Sequence, residues 1–409
     1  MPCMSKIATD LIHHPYQPPA GFNAPQPGVY KASTVIFPTV AAMRARNWKT
    51  KTGYTYGLHG TPTSFTLEER IATLEGGKHC LLVPSGLAAI ASVNMALLKA
   101  GDEVLLPDNV YGPSKALAEG ELKNWGITHQ LYDPMDPQDL HARISTRTRL
   151  VWLEAPGSVT MEFGPLEELA AVCRKEGVTT ALDNTWGAGL AFNGFDAGAD
   201  IVVQALTKYP SGGGDVLMGS IVTRDDALHQ QIKLCNMRVG WGVGINDVET
   251  VLRSLPSIAL RYRAHDLAAR QLARWLQGRP EIAQVLHPAL AGSPGHEHWR
   301  ALCGPAGDAM QDDGNGGLAA GLFSVVFQEA FSMAQVDAFC DALRLFKLGY
   351  SWGGPVSLVV PYDIPLMRSA GLGTWKHKGV LVRFSIGLEA VQDLPVSYTH
   401  LTLPTILRV

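Results

Sequence analysis

The chain has 409 residues, 46% of them hydrophobic, enough to bury a large core and fill about two or three domains. Its net charge is −3 with the signs mixed, which gives no basic footprint for nucleic acid. No run of about 18 apolar residues argues for a transmembrane helix, and the opening MPCMSKIATDLIHHPYQPP lacks a signal peptide's apolar stretch.

Residues 1–60 are rich in Pro, Gly, Thr and Tyr and show little periodicity, so they read as an extended arm lying on another surface, such as a second subunit. From Thr66 the texture changes. Thr66-Leu67-Glu68-Glu69 suggests a capping box, Leu67, Ile71 and Leu74 share one helical face, and Gly76-Gly77 stops the helix. An alternation follows. Cys80–Val83 reads as a buried strand, Pro84-Ser85-Gly86 as a turn, Leu87–Leu98 as a helix and Glu103–Leu106 as a strand. Further apolar strands are expected at Leu150–Leu153, Thr179–Leu182, Ile201–Ala205 and Gly219–Val222, with helices such as Pro165–Glu176 between them. This pattern implies a mostly parallel sheet covered on both faces, whose ligands bind beyond the strands' carboxyl ends. Asn246–Arg274 reads as a long helical stretch broken at Pro256. A last region begins near Glu281 and carries strand-like Phe323–Phe327 and Val380–Ile386, and Cys303–Gly317 reads as a polar, Gly-rich loop.

The six cysteines (Cys3, Cys80, Cys173, Cys235, Cys303 and Cys340) form no CxxC pair and no metal-ligand spacing. They read as reduced thiols of a cytoplasmic enzyme that holds no metal.

The chemistry-bearing residues gather at the predicted strand ends. Asp183, after an apolar strand, needs a cationic or donor partner, for which a protonated ring nitrogen is one candidate. Lys208, in Ala205-Leu206-Thr207-Lys208-Tyr209, can lose its proton in a sheltered site and form a Schiff base. Thr207 and the Ser85-Gly86-Leu87 turn offer a hydroxyl and helix-start N–H groups that suit a phosphate. Tyr111 follows another strand and can stack on a flat ring. An aldehyde-capturing lysine, a ring-nitrogen carboxylate and a phosphate cradle together describe pyridoxal 5'-phosphate. Each signal alone is weak: a strand-end Lys is usually structural, and a strand-end Asp is usually a cap. No GxGxxG follows the first strand, which argues against a nicotinamide-binding dehydrogenase.

The set resembles the Cys/Met-metabolism family of pyridoxal-phosphate-dependent enzymes over residues 5–394. The resemblance is carried by YGLHGTPT (56–63), LEGGKHCLLVPSGLAAI (74–90), NVYGPS (109–114), EAPGSVTME (154–162), LDNTWGAG (182–189), QALTKY (204–209), HPALAGSPGHE (287–297), YSWGGPVSL (350–358) and VRFSIGLE (382–389). Within it, GSVTME, DNTWGAG and YSWGG favour the bacterial cystathionine beta-lyase branch over the gamma-synthases and gamma-lyases.

The resemblance implies an α/β, aspartate-aminotransferase-like fold (fold type I): a mostly parallel seven-stranded sheet between helices, with a smaller α+β C-terminal domain. It implies an arm at 1–60, a cofactor domain at 61–258, a C-terminal domain at 259–394 and a non-native tail at 395–409. Lys208 would hold the cofactor and move protons, Asp183 would pair with its ring nitrogen, and Tyr111 would stack on the ring. Gly86, Leu87 and Thr207 would bind the phosphate, with Tyr56 reaching a neighbouring subunit's phosphate. Tyr56, Tyr111 and Lys208 would be the catalytic set. Arg383 would clamp the substrate carboxylate, with Ser351 and Trp352 helping through their backbones.

Two departures from the family pattern stand out. Leu58 occupies a position where many relatives carry Arg, which makes His59 a candidate for the phosphate charge. Ser211-Gly212-Gly213-Gly214-Asp215 replaces a Gly-His-Ser-Asp pattern. The implied reaction is α,β-elimination of L-cystathionine to L-homocysteine, pyruvate and ammonia, in a cytoplasmic homotetramer with shared sites that binds a small amino-acid thioether and neither nucleic acid nor membrane. The alternatives are a broad cysteine-S-conjugate beta-lyase and a gamma-lyase or gamma-synthase type of relative.

Overall fold

The structure, a computed structural model, describes residues 4–16, 18–51, 53–304, 317–369, 372–373 and 375–395. The expected loop at Cys303–Gly317 and tail from Pro395 therefore lie mostly outside the described residues. The arm is not wholly extended: it carries helices α1 (Met4–Ile12) and α2 (Val40–Arg44). Ile7 and Leu11, four residues apart, share one face of α1 and are buried. Phe22, Ile36 and Val40 of the arm are exposed.

Helix α3 (Pro62–Glu75) begins earlier than the sequence predicts. Its cap is Thr61, whose hydroxyl accepts the Ser64 N–H while the Ser64 hydroxyl accepts the Thr61 N–H, and Pro62 fits the first turn because it has no N–H to satisfy. Thr66 lies inside the helix and donates to the Pro62 carbonyl. Leu67, Ile71 and Leu74 are buried along one face, and Gly76 ends the helix at φ +71°.

The alternation that follows is β1 (His79–Val83), α4 (Gly86–Leu97), β2 (Glu103–Pro107), α5 (Gly112–Leu117), β3 (Thr128–Tyr132), α6 (Pro137–Arg143), β4 (Thr148–Glu154), α7 (Leu166–Lys175), β5 (Thr179–Asp183), β6 (Ile201–Ala205) and β7 (Gly219–Thr223). These strands form one seven-stranded sheet in the order β1-β7-β6-β5-β4-β2-β3. Strands β2 to β6 pair in parallel, whereas β7 runs antiparallel to both of its neighbours, β1 and β6. The central strands carry buried apolar runs, such as Leu150–Leu153 and Ile201–Val203, because helices cover both faces.

Helices α8 (Asp226–Val239), α9 (Ile245–Ser254) and α10 (Ile258–Gln277) lead out of this unit, with the expected break at Pro256 realised as a 3-10 turn, Leu255–Ser257. The rest is β8 (Ile282–Leu286), α11 (His296–Cys303), β9 (Leu322–Phe327), α12 (Met333–Ala342), β10 (Lys347–Leu348), β11 (Leu358–Tyr362) and β12 (Leu381–Ser385). Its five strands form a second sheet, β10-β11-β12-β9-β8, antiparallel except at β10–β11. Phe323, Phe327, Phe339 and Phe384 fill its core. Among the described residues no helix is long and apolar enough to cross a membrane.

Candidate active site

The parallel strands deliver their last residues to one edge of the large sheet. Glu154 closes β4 and Asp183 closes β5, and the two are directly paired across the strands. β6 runs on into Thr207 and Lys208, and β1 into the Ser85–Gly86 turn.

Asp183 accepts two hydrogen bonds from Thr185, at 3.0 Å from its N–H and 2.5 Å from its hydroxyl. The Thr185 hydroxyl also accepts the Ala205 N–H at 2.9 Å, which ties the end of β5 to the end of β6. Burial pushes the Asp183 carboxyl up, against the Thr185 hydrogen bonds and the charge of Lys208.

Lys208 Nζ donates to Ser351 Oγ at 2.9 Å and lies 5.4 Å from the centre of the Trp352 ring. Burial, then repulsion from Arg383, lowers its pKa to about 8, with Asp183 opposing. The amine is therefore poised to gain or lose its proton near neutrality. The Ser351–Trp352 segment can cross so close because Gly353 adopts φ +77°, where a Cβ would come within 3.0 Å of the Tyr209 nitrogen and 3.1 Å of the Lys208 carbonyl carbon.

Arg383, on β12, is only 5% exposed. Its Nη2 donates to the Tyr350 carbonyl at 2.7 Å and its Nη1 to the Ser158 carbonyl at 3.4 Å, while its guanidinium lies 5.3 Å from the centre of the Tyr362 ring. Tyr111 caps α5, and its N–H donates to Glu154 Oε2 at 2.9 Å. Its phenol is pushed up by burial and by the Asp183 and Glu154 carboxyls, with Arg383 opposing, so it shares their space. Burial and the nearby Asp183 charge push the Glu154 carboxyl well above its ordinary range.

At the other corner, Ser85 caps α4 by accepting the Ala88 N–H at 3.0 Å. The Gly86 and Leu87 N–H groups have no hydrogen-bond partner among the described residues, as first-turn donors do not. The Thr207 hydroxyl donates to the Met218 carbonyl at 3.2 Å and accepts its N–H at 3.1 Å, locking the Lys208 turn onto the start of β7. In the Ser211–Asp215 stretch, Gly212 sits at φ +65° where Arg261 crosses on its way to the Tyr209 carbonyl at 2.6 Å. The Asp215 carboxylate folds back against Gly213.

The structure thus gathers Asp183, Lys208, Tyr111, Ser351, Trp352 and Arg383 around one space, with Gly86, Leu87 and Thr207 at its edge. Within the subunit it does not bring Tyr56 or His59 there. They line a separate cavity with Lys51, Glu68, His229 and Lys233. Tyr56 is 46% exposed. His59 shares a hydrogen bond with Thr55 Oγ1 at 2.9 Å and stacks on Trp48, and burial, Lys233 and Arg46 all lower its proton affinity.

Several site residues escaped the sequence reading. Glu154 stands at a strand end just as Asp183 does, and the same rule of a carboxylate after an apolar run marks it. Tyr350 opens the YSWGG motif but had no role assigned to it, and Tyr362 gave no signal, since a lone tyrosine in the last third of the chain has no spacing to mark it. Glu75 is fully buried behind Asp183: its Oε2 accepts Asn184 Nδ2 at 3.0 Å and its Oε1 accepts Gln204 Nε2 at 2.5 Å. Burial pushes it up to about 8, with the Asn184 hydrogen bond opposing and Asp183 adding.

Residues 8–397 match the family described as Cys/Met metabolism PLP-dependent enzymes. The chain is similar to the cystathionine beta-lyase of Salmonella typhimurium, at 34% identity over 90% of each chain, and to the cystathionine beta-lyase of Escherichia coli, at 32% identity over 95% of this chain and 96% of that one. Among solved structures it is similar to a cystathionine gamma synthase from Xanthomonas oryzae pv. oryzae in complex with aminoacrylate and cysteine, at 28% identity, TM-score 0.85 and 99% coverage of both chains. Pyridoxal 5'-phosphate is the cofactor of this family.

Proposed function

Because the chain belongs to the Cys/Met-metabolism family of pyridoxal-phosphate-dependent enzymes, we propose that it is a carbon–sulfur beta-lyase that cleaves L-cystathionine to L-homocysteine, pyruvate and ammonia. The supporting observation is the half-buried Lys208, whose amine donates to Ser351 at 2.9 Å and feels the opposed charges of Asp183 and Arg383.

The residues present fit the cofactor. A half-buried amine of lowered proton affinity suits its aldehyde, a half-buried carboxylate its ring nitrogen, and two unpartnered helix-start N–H groups its phosphate. In this reading Lys208 would hold the aldehyde carbon until the substrate amine displaces it, and Asp183 would hold a proton at the ring nitrogen. Tyr111 would cover the ring, while Gly86, Leu87 and Thr207 would take the phosphate. When bound, the cofactor withdraws electrons from the substrate's Cα and makes the Cα proton removable. Lys208 Nζ, freed when the substrate amine takes its place on the aldehyde carbon, would take that proton as general base. The Cα electron pair would form the Cα–Cβ double bond as the sulfur leaves with the C–S pair, and Nζ would return the proton to the departing thiolate. The Ser351 hydrogen bond sets where Nζ points, and the Trp352 ring beside it excludes water. Arg383 binds the substrate carboxylate as a fork.

Tyr56 and His59 are assigned to the neighbouring subunit's site in a homotetramer, because in their own subunit they line another cavity on an arm with exposed apolar residues. A cytoplasmic location accords with the unpaired Cys80, Cys173, Cys235, Cys303 and Cys340.

The purified protein, supplied with pyridoxal phosphate and L-cystathionine, should release thiol and pyruvate in equal amounts. Release of 2-oxobutyrate instead would establish gamma-elimination and overturn the reading. Lys208→Ala should lose both the cofactor's visible absorbance and the lyase activity.

A further inference from the structure

Arg383 makes two hydrogen bonds, and both go to backbone carbonyls. The longer of them, 3.4 Å to Ser158, is weak. One good bond and one weak one hold the plane of the guanidinium only loosely, yet a fork that grips a carboxylate must lie in that carboxylate's plane.

Tyr362 lies against the guanidinium, at 5.3 Å from ring centre to charge, with the Tyr111 and Tyr350 phenols also near enough to act on it. The register explains the contact. Arg383 on β12 pairs with Val360 on β11, and Tyr362 is two residues further along. Residues two apart on a strand share a face, so Tyr362 and Arg383 are diagonal neighbours, a separation that a tyrosine and an arginine can span. Tyr362 is half-buried and packs against the core. Its hydroxyl makes no hydrogen bond among the described residues, so the ring, not the hydroxyl, is what engages Arg383.

We propose that Tyr362 is a positioning residue for substrate binding: its ring fixes the plane of the Arg383 fork so that the fork accepts an amino acid's α-carboxylate. This rests on the reading of Arg383 as the carboxylate anchor. A ring contact of this kind at a desolvated site corresponds to about tenfold in binding. Phenylalanine supplies the same face, and leucine does not.

The test uses the holoenzyme and the variants Tyr362→Phe, Tyr362→Leu and Arg383→Lys. KM and kcat are measured on L-cystathionine. Binding of 3-(propylthio)propanoate, which has the carboxylate but no amine, is measured by calorimetry beside that of its amide. Tyr362→Leu should raise KM and weaken carboxylate binding about tenfold. It should leave kcat within about twofold and amide binding and the cofactor absorbance unchanged, and Tyr362→Phe should behave as the parent. The proposal fails if Phe is as damaging as Leu, if Leu leaves KM and carboxylate binding unchanged, if the loss falls on kcat alone, or if the amide suffers equally. If the parent binds the carboxylate no better than the amide, or Arg383→Lys leaves carboxylate binding intact, the Arg383 reading itself falls. Calorimetry does not depend on turnover, so that failure is distinguishable from a wrong choice of reaction.

Discussion

Replacing Glu75 with Gln should stabilise the protein at alkaline pH, although Glu75 makes two core hydrogen bonds. Its folded-state pKa is raised from 4.5 to about 8, so the native protein keeps a proton that the unfolded chain releases. The resulting stabilisation is fully present below pH 4.5, declines as pH rises, and is lost above about 8. Within that window the slope approaches one proton, about 1.4 kcal/mol per pH unit, and the whole interval is worth on the order of 5 kcal/mol. Gln is neutral throughout. Its carbonyl can keep one of the two donors, and its amide can donate to Asn184 Oδ1 or Gln204 Oε1, which are buried without partners. The exchange should therefore cost no more than about 1–2 kcal/mol at pH 5. Thermal midpoints of parent and variant holoenzymes between pH 5 and 9 give the comparison. The parent should match or exceed the variant at pH 5 and fall below it at pH 9. Because only the difference is read, Asp183 and Glu154 largely drop out. Parallel curves would refute the reasoning and mean that Glu75 is ionised in the fold at every pH tested.

Two further outcomes are expected. Arg368 pairs with Asp108 at 2.6 Å and with Glu162 at 2.7 Å, and both carboxylates are buried. Arg368→Ala leaves them without their cation and should cost about 3–5 kcal/mol in urea unfolding, where a loss under about 1 kcal/mol would contradict the pairing. Gly353→Ala adds a Cβ at φ +77° against the Lys208 backbone and should push Ser351 and Trp352 off the amine. It should lower kcat/KM by about 10- to 100-fold with a smaller effect on thermal stability, and an unimpaired variant would show that the segment need not approach Lys208.

The strands most visible in the sequence were those buried on both faces, such as β4 and β6, because nothing but an apolar run fits there. β3 went unseen because it is an edge strand: of its residues Thr128-His129-Gln130-Leu131-Tyr132, only Tyr132 is buried. The start of α3 was misplaced because Thr66-Leu67-Glu68-Glu69 imitates a cap, whereas Thr61 and Ser64 form one ahead of a proline. Asp183 and Lys208 could be read because polar groups at the ends of apolar strands are costly without a purpose. Tyr362 could not, because its place follows from a register between two strands that the sequence does not pair. Glu75 was hidden because a glutamate at the end of a helix looks solvated until the sheet behind it is built.

The position of β7 bears on how the molecule matures. β1 joins the sheet only through β7, and the pairing of His79 with Thr223 closes a loop of about 140 residues. A growing chain that has passed β6 already has Asp183 at the end of β5 and Lys208 in the turn just beyond the neighbouring β6. It does not yet have the Ser85–Gly86 corner in place, since that corner is set against Gly219, where a side chain would strike the Ser85 carbonyl. The two halves of the cradle therefore meet only where the most non-local contact in the sheet forms. Capture of the cofactor during synthesis then reports the closing of the topology, not the folding of the strands that bear its lysine and aspartate.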